Sequence, residues 1–98
     1  MSASIALQIL PNVPDDAQVC RIVDAAIETI QASGLRYHVG PFETTVEGSS
    51  IDELMDLAKQ CIHTAAGAGA PKVSVYLKAV WRPEGDILTI DQKIGKYQ

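Results

Sequence analysis

Ninety-eight residues, 47 % hydrophobic and 20 % charged, suit one domain with a single core and exclude a disordered chain. The formal net charge of -4, with eight scattered Lys and Arg and no basic run, excludes a nucleic-acid-binding face, which needs concentrated positive charge. No apolar run approaches the ~20 residues of a membrane span, and MSASIALQIL lacks the basic start and long apolar core of a signal peptide, so a cytoplasmic protein is expected.

Ser4 to Leu10 alternates and is rich in aliphatic side chains, which predicts a strand ended by Pro11 and Pro14. Asp15 and Asp16 then offer a helix cap and favourable charge at a helix start. Val19, Ile22, Val23, Ala26, Ile27 and Ile30 recur every three or four residues, the apolar stripe of a helix of about five turns, stopped by Gly34. Arg36 to Val39 and Glu43 to Glu47 read as a hairpin with a tight connection through Gly40-Pro41-Phe42. Ser50 and Glu53 form a capping box before a second amphipathic helix carrying Leu54, Leu57, Ala58, Cys61, Ile62 and Ala65. Gly67, Gly69 and Pro71 end that helix. Lys72 to Arg82 is the longest strand pattern, with Val73, Val75, Leu77, Ala79 and Trp81 on one side. After a Pro83–Asp86 turn, Thr89 and Gln92 form a weaker capping box, so the tail is either a short helix or a short strand.

The order β-α-β-β-α-β specifies an α+β, ferredoxin-like sandwich over residues 1–98 as a single domain. Two helices cover one face of a four-stranded antiparallel sheet, and a short tail element follows. By alternation the other face carries Ala6, Gln8, Leu10, Ser74, Tyr76, Lys78 and Val80. An uncovered, partly apolar face of this kind signals a partner surface, and a homo-oligomer packing sheet on sheet is expected, with the long last strand extending the pairing between subunits.

The hairpin LRYHVGPFETTVEG followed by an amphipathic helix resembles the small thiamine-binding protein family. The opening strand ending at Pro11, the SGLRY turn and the closing TIDQKIGKY also fit, and GP-x-x-TTVEG is the most specific part. The resemblance implies a ferredoxin-like fold and a homotetramer built as a dimer of dimers. It implies binding of thiamine or its hydroxymethylpyrimidine precursor, with no established catalysis and no cofactor, and the site is expected at a subunit interface. The alternative from another class is a homo-oligomeric regulatory or protein-interaction module without a thiamine ligand.

The residues suit such a ligand. An aminopyrimidine offers ring-nitrogen acceptors and an exocyclic amine donor, which a carboxylate, hydroxyls and an amide can satisfy, while an aromatic ring can stack on it. Gln8, Tyr37, Thr44, Thr45 and Glu47 supply those types and are the candidate ligand-binding residues. Alternation puts Thr45 on the face of Glu43 and Glu47, and one of the two threonines must point to the helices, so Thr45 is preferred. Each has a plainer role as well: Glu47 as a solvated strand end, Tyr37 as a core or interface aromatic, Gln8 as a partner across subunits.

Other chemistry finds no support. His38 and His63 lack the companions of a metal site and read as surface or interface residues. The loop Pro11–Pro14 lacks the arginine of acylphosphatases and the CxxC of metal-chaperone domains that share this topology. GAGA and EGSS do not frame a phosphate loop; Gly48-Ser49-Ser50 precedes a helix start that can hold an anion, a weaker possibility because thiamine is not anionic. Cys20 and Cys61 fit no paired spacing, fall within apolar helical patterns, and are expected as buried free thiols.

Overall fold

The computed structural model describes residues 1–98. Its elements are β1 (Ala3–Pro11), α1 (Asp16–Ala32), β2 (Arg36–Val39), β3 (Thr44–Gly48), α2 (Ile51–Gly67), β4 (Val73–Trp81) and α3 (Ile90–Ile94), the last followed by a 3-10 turn at Gly95–Tyr97. The strands form one antiparallel sheet in the order β2-β3-β1-β4. This is the expected α+β ferredoxin-like arrangement.

The helices start where local chemistry dictates. The Asp15 carboxylate accepts from the Gln18 amide at 2.8 Å, and Ser50 Oγ accepts from the Glu53 amide at 3.1 Å. The reciprocal arm of that second box is not formed. Gly34, at φ +75°, reverses the chain after α1 in a conformation that other residues adopt at a cost. Ile22, Ala26 and Ile30 of α1 and Leu54, Leu57, Ala58, Cys61 and Ala65 of α2 are buried against Ile5, Leu7, Ile9 and Val46 of the sheet. The Thr29 and Thr64 hydroxyls meet at 3.0 Å between the helices, and the Arg21 guanidinium donates to the Ala68 carbonyl at 2.9 Å.

Two expectations are corrected by the fold. Cys61 is buried, but Cys20 is exposed. Cys20 follows Val19 at the rim of the α1 stripe, and only Ile22, Ala26 and Ile30 of that helix are fully buried. The second face of the sheet is not wholly uncovered either. α3 folds back onto it and buries Ile90. The tail is therefore a helix, and both arms of its capping box are formed, Thr89 Oγ1 accepting from the Gln92 amide at 3.1 Å and Gln92 Oε1 from the Thr89 amide at 2.7 Å.

β4 lies at the edge of the sheet. It pairs with β1 along its whole length, from Val73 opposite Pro11 to Trp81 opposite Ala3, and its outer edge has no strand beside it.

Candidate functional site

The hairpin register determines what the open face offers. Arg36 lies opposite Glu47, Tyr37 opposite Val46, His38 opposite Thr45 and Val39 opposite Thr44. Residues paired across antiparallel strands share a face. Val46 is in the core, so Tyr37 faces the helices and packs on the core from there. Thr44, opposite Leu7, also lies on the helix side and is buried. Thr45 and Glu47 face the other way, with Arg36, His38, Ser4 and Ala6. Gln8 shares that face and lies opposite Tyr76 of β4. Of the five candidate residues, Gln8, Thr45 and Glu47 thus occupy the open face, and Tyr37 and Thr44 are separated from them by the thickness of the sheet.

Gly40 makes the hairpin possible. Its amide donates to the Glu43 carbonyl at 2.9 Å, and a Cβ at Gly40 would stand 2.9 Å from that same oxygen, closer than a side chain tolerates. The tight closure fixes the register that sends His38 and Thr45 outward together. Beyond it, Lys78 Nζ donates to Glu43 Oε1 at 2.7 Å on the same face.

Glu47 is 4 % exposed, and its Oε2 accepts from the Ile90 backbone amide at 2.9 Å. It is not the solvated strand end that its position in the sequence allows. No Lys, Arg or His comes within 4 Å of its carboxylate. On the neighbouring strand Arg36 donates to the Tyr37 carbonyl at 2.8 Å and pairs with Asp91 at 2.7 Å. One rung of the β2–β3 ladder therefore holds α3 through two polar contacts.

Between α3 and the hairpin lies a cavity of about 260 Å³, walled by His38, Thr45, Ile90, Lys93, Ile94, Tyr97 and Gln98. Its floor is the outward rung His38–Thr45, and its roof is the C-terminal segment. Its walls offer an imidazole, a hydroxyl, an amide, an ammonium and a phenol ring, with aliphatic contact from Ile90 and Ile94. No acidic side chain lines it, and Glu47 sits one rung pair behind. A second cavity, of about 310 Å³, lies on the opposite side of the sheet, where the half-buried Val19, Val23 and Ile27 face the Pro41-Phe42 loop tip and Thr44. That one is predominantly hydrophobic, with Asp24 and Cys20 also among its lining residues.

The family match covers residues 5–98, and its description is thiamine-binding protein. The chain belongs to the thiamine-binding protein family. Among its relatives, a UPF0045 protein of Clostridium perfringens is 37 % identical, over 99 % of this chain and 98 % of the other. A Thermotoga maritima protein assigned provisionally to thiamine biosynthesis or salvage is 32 % identical and superimposes with a TM-score of 0.85, over all of both chains. A Bacillus cereus domain of unknown function, DUF77, is 36 % identical, with a TM-score of 0.83 over all of this chain and 91 % of that one.

The site candidates drawn from the sequence of this family member do not include His38 or the tail residues. His38 reads as a surface or interface histidine because no partner lies near it in sequence. The hairpin register supplies that partner, Thr45, and is obtainable only by fixing the length of the connection. Nothing local in the tail announces that it crosses back over β2 and β3.

Proposed function

We propose that the protein binds thiamine or hydroxymethylpyrimidine without converting it, in the cavity between the His38–Thr45 rung and the C-terminal segment. Membership of the thiamine-binding protein family carries this reading. The chemistry of the cavity supports the pyrimidine end in particular. His38, the Thr45 hydroxyl and the Gln98 amide offer both donors and acceptors to an aminopyrimidine edge, and Tyr97 offers a face for stacking. Lys93 opposes a cationic thiazolium, and no acidic side chain in the walls welcomes one. A volume of about 260 Å³, below the roughly 300–1,000 Å³ of pockets for drug-sized ligands, also favours one ring over two. The thiazolium of thiamine would then project outward.

The binding unit is a homo-oligomer, a tetramer built as a dimer of dimers. The nine-residue β4 edge, interrupted by a single charge at Lys78, is long and flat enough to pair with a second copy. Leu10, Tyr76 and Val80, exposed on the open face beside Gln8, form an apolar surface for sheet-on-sheet packing. Gln8 lies in the part of the face that a neighbouring subunit would cover.

Calorimetric titration of the assembled protein tests the reading. Saturable binding of hydroxymethylpyrimidine and of thiamine is expected, with Thr45→Val weakening it by about fivefold to tenfold, the loss of one hydrogen bond in a closed site. Heat from neither compound, with protein of verified mass, would sink it. A product peak after incubation with either compound would replace binding by catalysis.

A further inference from the structure

We infer that residues 89–98 are a lid over the open-face cavity and that Glu47 is the positioning residue that latches this lid, not a ligand contact. The lid's role in binding rests on the reading of that cavity as the binding site. Three observations carry it. First, the cavity exists only with the segment in place: Ile90, Lys93, Ile94, Tyr97 and Gln98 are its roof, and without them His38 and Thr45 stand on an open sheet.

Second, the segment is held at one rung only. The Ile90 amide is bound by Glu47, the Asp91 carboxylate by Arg36, and the Ile90 side chain is buried. From Gln92 onward its hydrogen bonds run within the segment, from Gln92 and Lys93 to Thr89 and from Gln98 to Gly95. Tyr97, at the free end, is exposed. The lid is anchored at its base and loose at its tip.

Third, closing the lid buries a carboxylate poorly. Glu47 has one backbone donor and no cation within 4 Å, and its other oxygen, which no protein group donates to, keeps only a narrow contact with solvent. Stripping water from a charge with so few partners opposes closure, while the amide bond, the ion pair and Ile90 favour it. Such a balance is shifted by any molecule that touches both floor and roof, because it binds the closed form better. A flat heterocycle on His38 and Thr45 with Tyr97 above it does so.

Two variants separate a latch from a ligand contact. Ile90→Pro removes the donor, together with the segment's one buried side chain, and leaves the Glu47 carboxylate in place. Proline suits the first helical position, and Thr89, at φ -79° and ψ 165°, already has the backbone that precedes a proline. Glu47→Gln keeps an acceptor oxygen for the Ile90 amide and removes the charge. In the full chain, Ile90→Pro should speed amide hydrogen exchange of residues 91–94 by at least about tenfold and weaken hydroxymethylpyrimidine binding to a similar degree, the combined loss of one charge-assisted hydrogen bond and one buried apolar contact. Glu47→Gln should leave both within about threefold of wild type. Asp91→Asn, which changes no buried atom and breaks only the Arg36 pair, should speed the same exchange by about threefold and so tests the anchoring of the segment at this rung if Ile90→Pro folds poorly. Hydroxymethylpyrimidine itself should slow exchange at 91–94 in the wild type.

The latch is overturned if Glu47→Gln abolishes binding while the tail exchanges at the wild-type rate, or if neither Ile90→Pro nor Asp91→Asn speeds exchange. Absence of ligand binding by the wild type would refute the proposed function, whereas the ligand-free exchange rates would still decide whether Glu47 latches the tail.

Discussion

The two faces of the sheet solve the same problem by different means. On the helix side, Ile5, Leu7 and Val46 meet Ile22, Ile30 and Leu54 in one continuous buried cluster, and the polar contacts there, such as Thr29 with Thr64, are few. On the other side, Ser4, Thr45 and Glu47 face a ten-residue tail that buries a single isoleucine and bonds a carboxylate to a backbone amide. The neighbours Thr44 and Thr45 show the difference at its smallest scale. Thr44 is buried beneath the helices at the wall of a mainly hydrophobic cavity and Thr45 floors a polar one, although alternation is all that separates them. The sealed face maintains the fold; the lightly covered one has polar groups to spare for a ligand.

The largest test of this contrast is on the sealed side. Leu54 is completely buried in the core, and Leu54→Ala should cost about 3 kcal/mol through lost transfer energy and the cavity it leaves. Chemical denaturation checks it, and the loss should be independent of protein concentration. A cost under about 1 kcal/mol would mean that the helix face is not tightly packed, because a collapsible site refills such a cavity.

The matching test on the open side is Tyr76→Glu. Tyr76 is 68 % exposed and lies opposite Gln8, so within one chain the substitution should change stability by less than about 0.5 kcal/mol. In the proposed assembly the same site is buried, and a new carboxylate there carries a desolvation cost. Light scattering should therefore show a smaller particle with an unchanged circular dichroism spectrum. Retention of the wild-type mass would remove the sheet-on-sheet packing from the proposal. Wholesale unfolding would make assembly and folding inseparable.

Periodicity alone makes the sealed face readable. The stripe from Val19 to Ile30, the Ser50 cap and the alternating strands encode helices and strands through short-range spacing, and those spacings determine which side is buried. Alternation likewise sends Thr45 and Glu47 to the open face. Tyr37 is harder, because its face depends on the register across Gly40–Glu43 and a slip of one residue would reverse it. The burial of Glu47 is not legible at all. It depends on the Ile90 amide, 43 residues away, and nothing near either residue encodes their meeting. The tail advertises its own capping box at Thr89 but not the surface on which it lies. Tertiary placement of short elements is the kind of information that local patterns lack.

The cysteines extend the comparison to a single pair of side chains and give the smallest effect. Cys61 is fully buried, and its thiol lies 3.6 Å from the Ala26 carbonyl, to which it donates. Burial pushes its pKa from the usual 9.0 up to about 11, because the thiolate would lose its hydration in the core. Cys20 is open to solvent. Since the thiolate is the nucleophile, Ellman's reagent at a mildly alkaline pH should consume one thiol quickly, and the second only after denaturant is added. The raised value also fixes a sign. The folded chain holds the Cys61 proton more tightly than the unfolded chain, so this contribution to stability is complete below pH 9 and declines as pH rises toward 11. Protection of the second thiol should weaken over that same interval, and a Cys61→Ala variant should lose the alkaline decline. Two thiols reacting equally fast near neutral pH would show that the core beneath α1 and α2 opens readily, and would erase the distinction between the sealed and the lightly covered face.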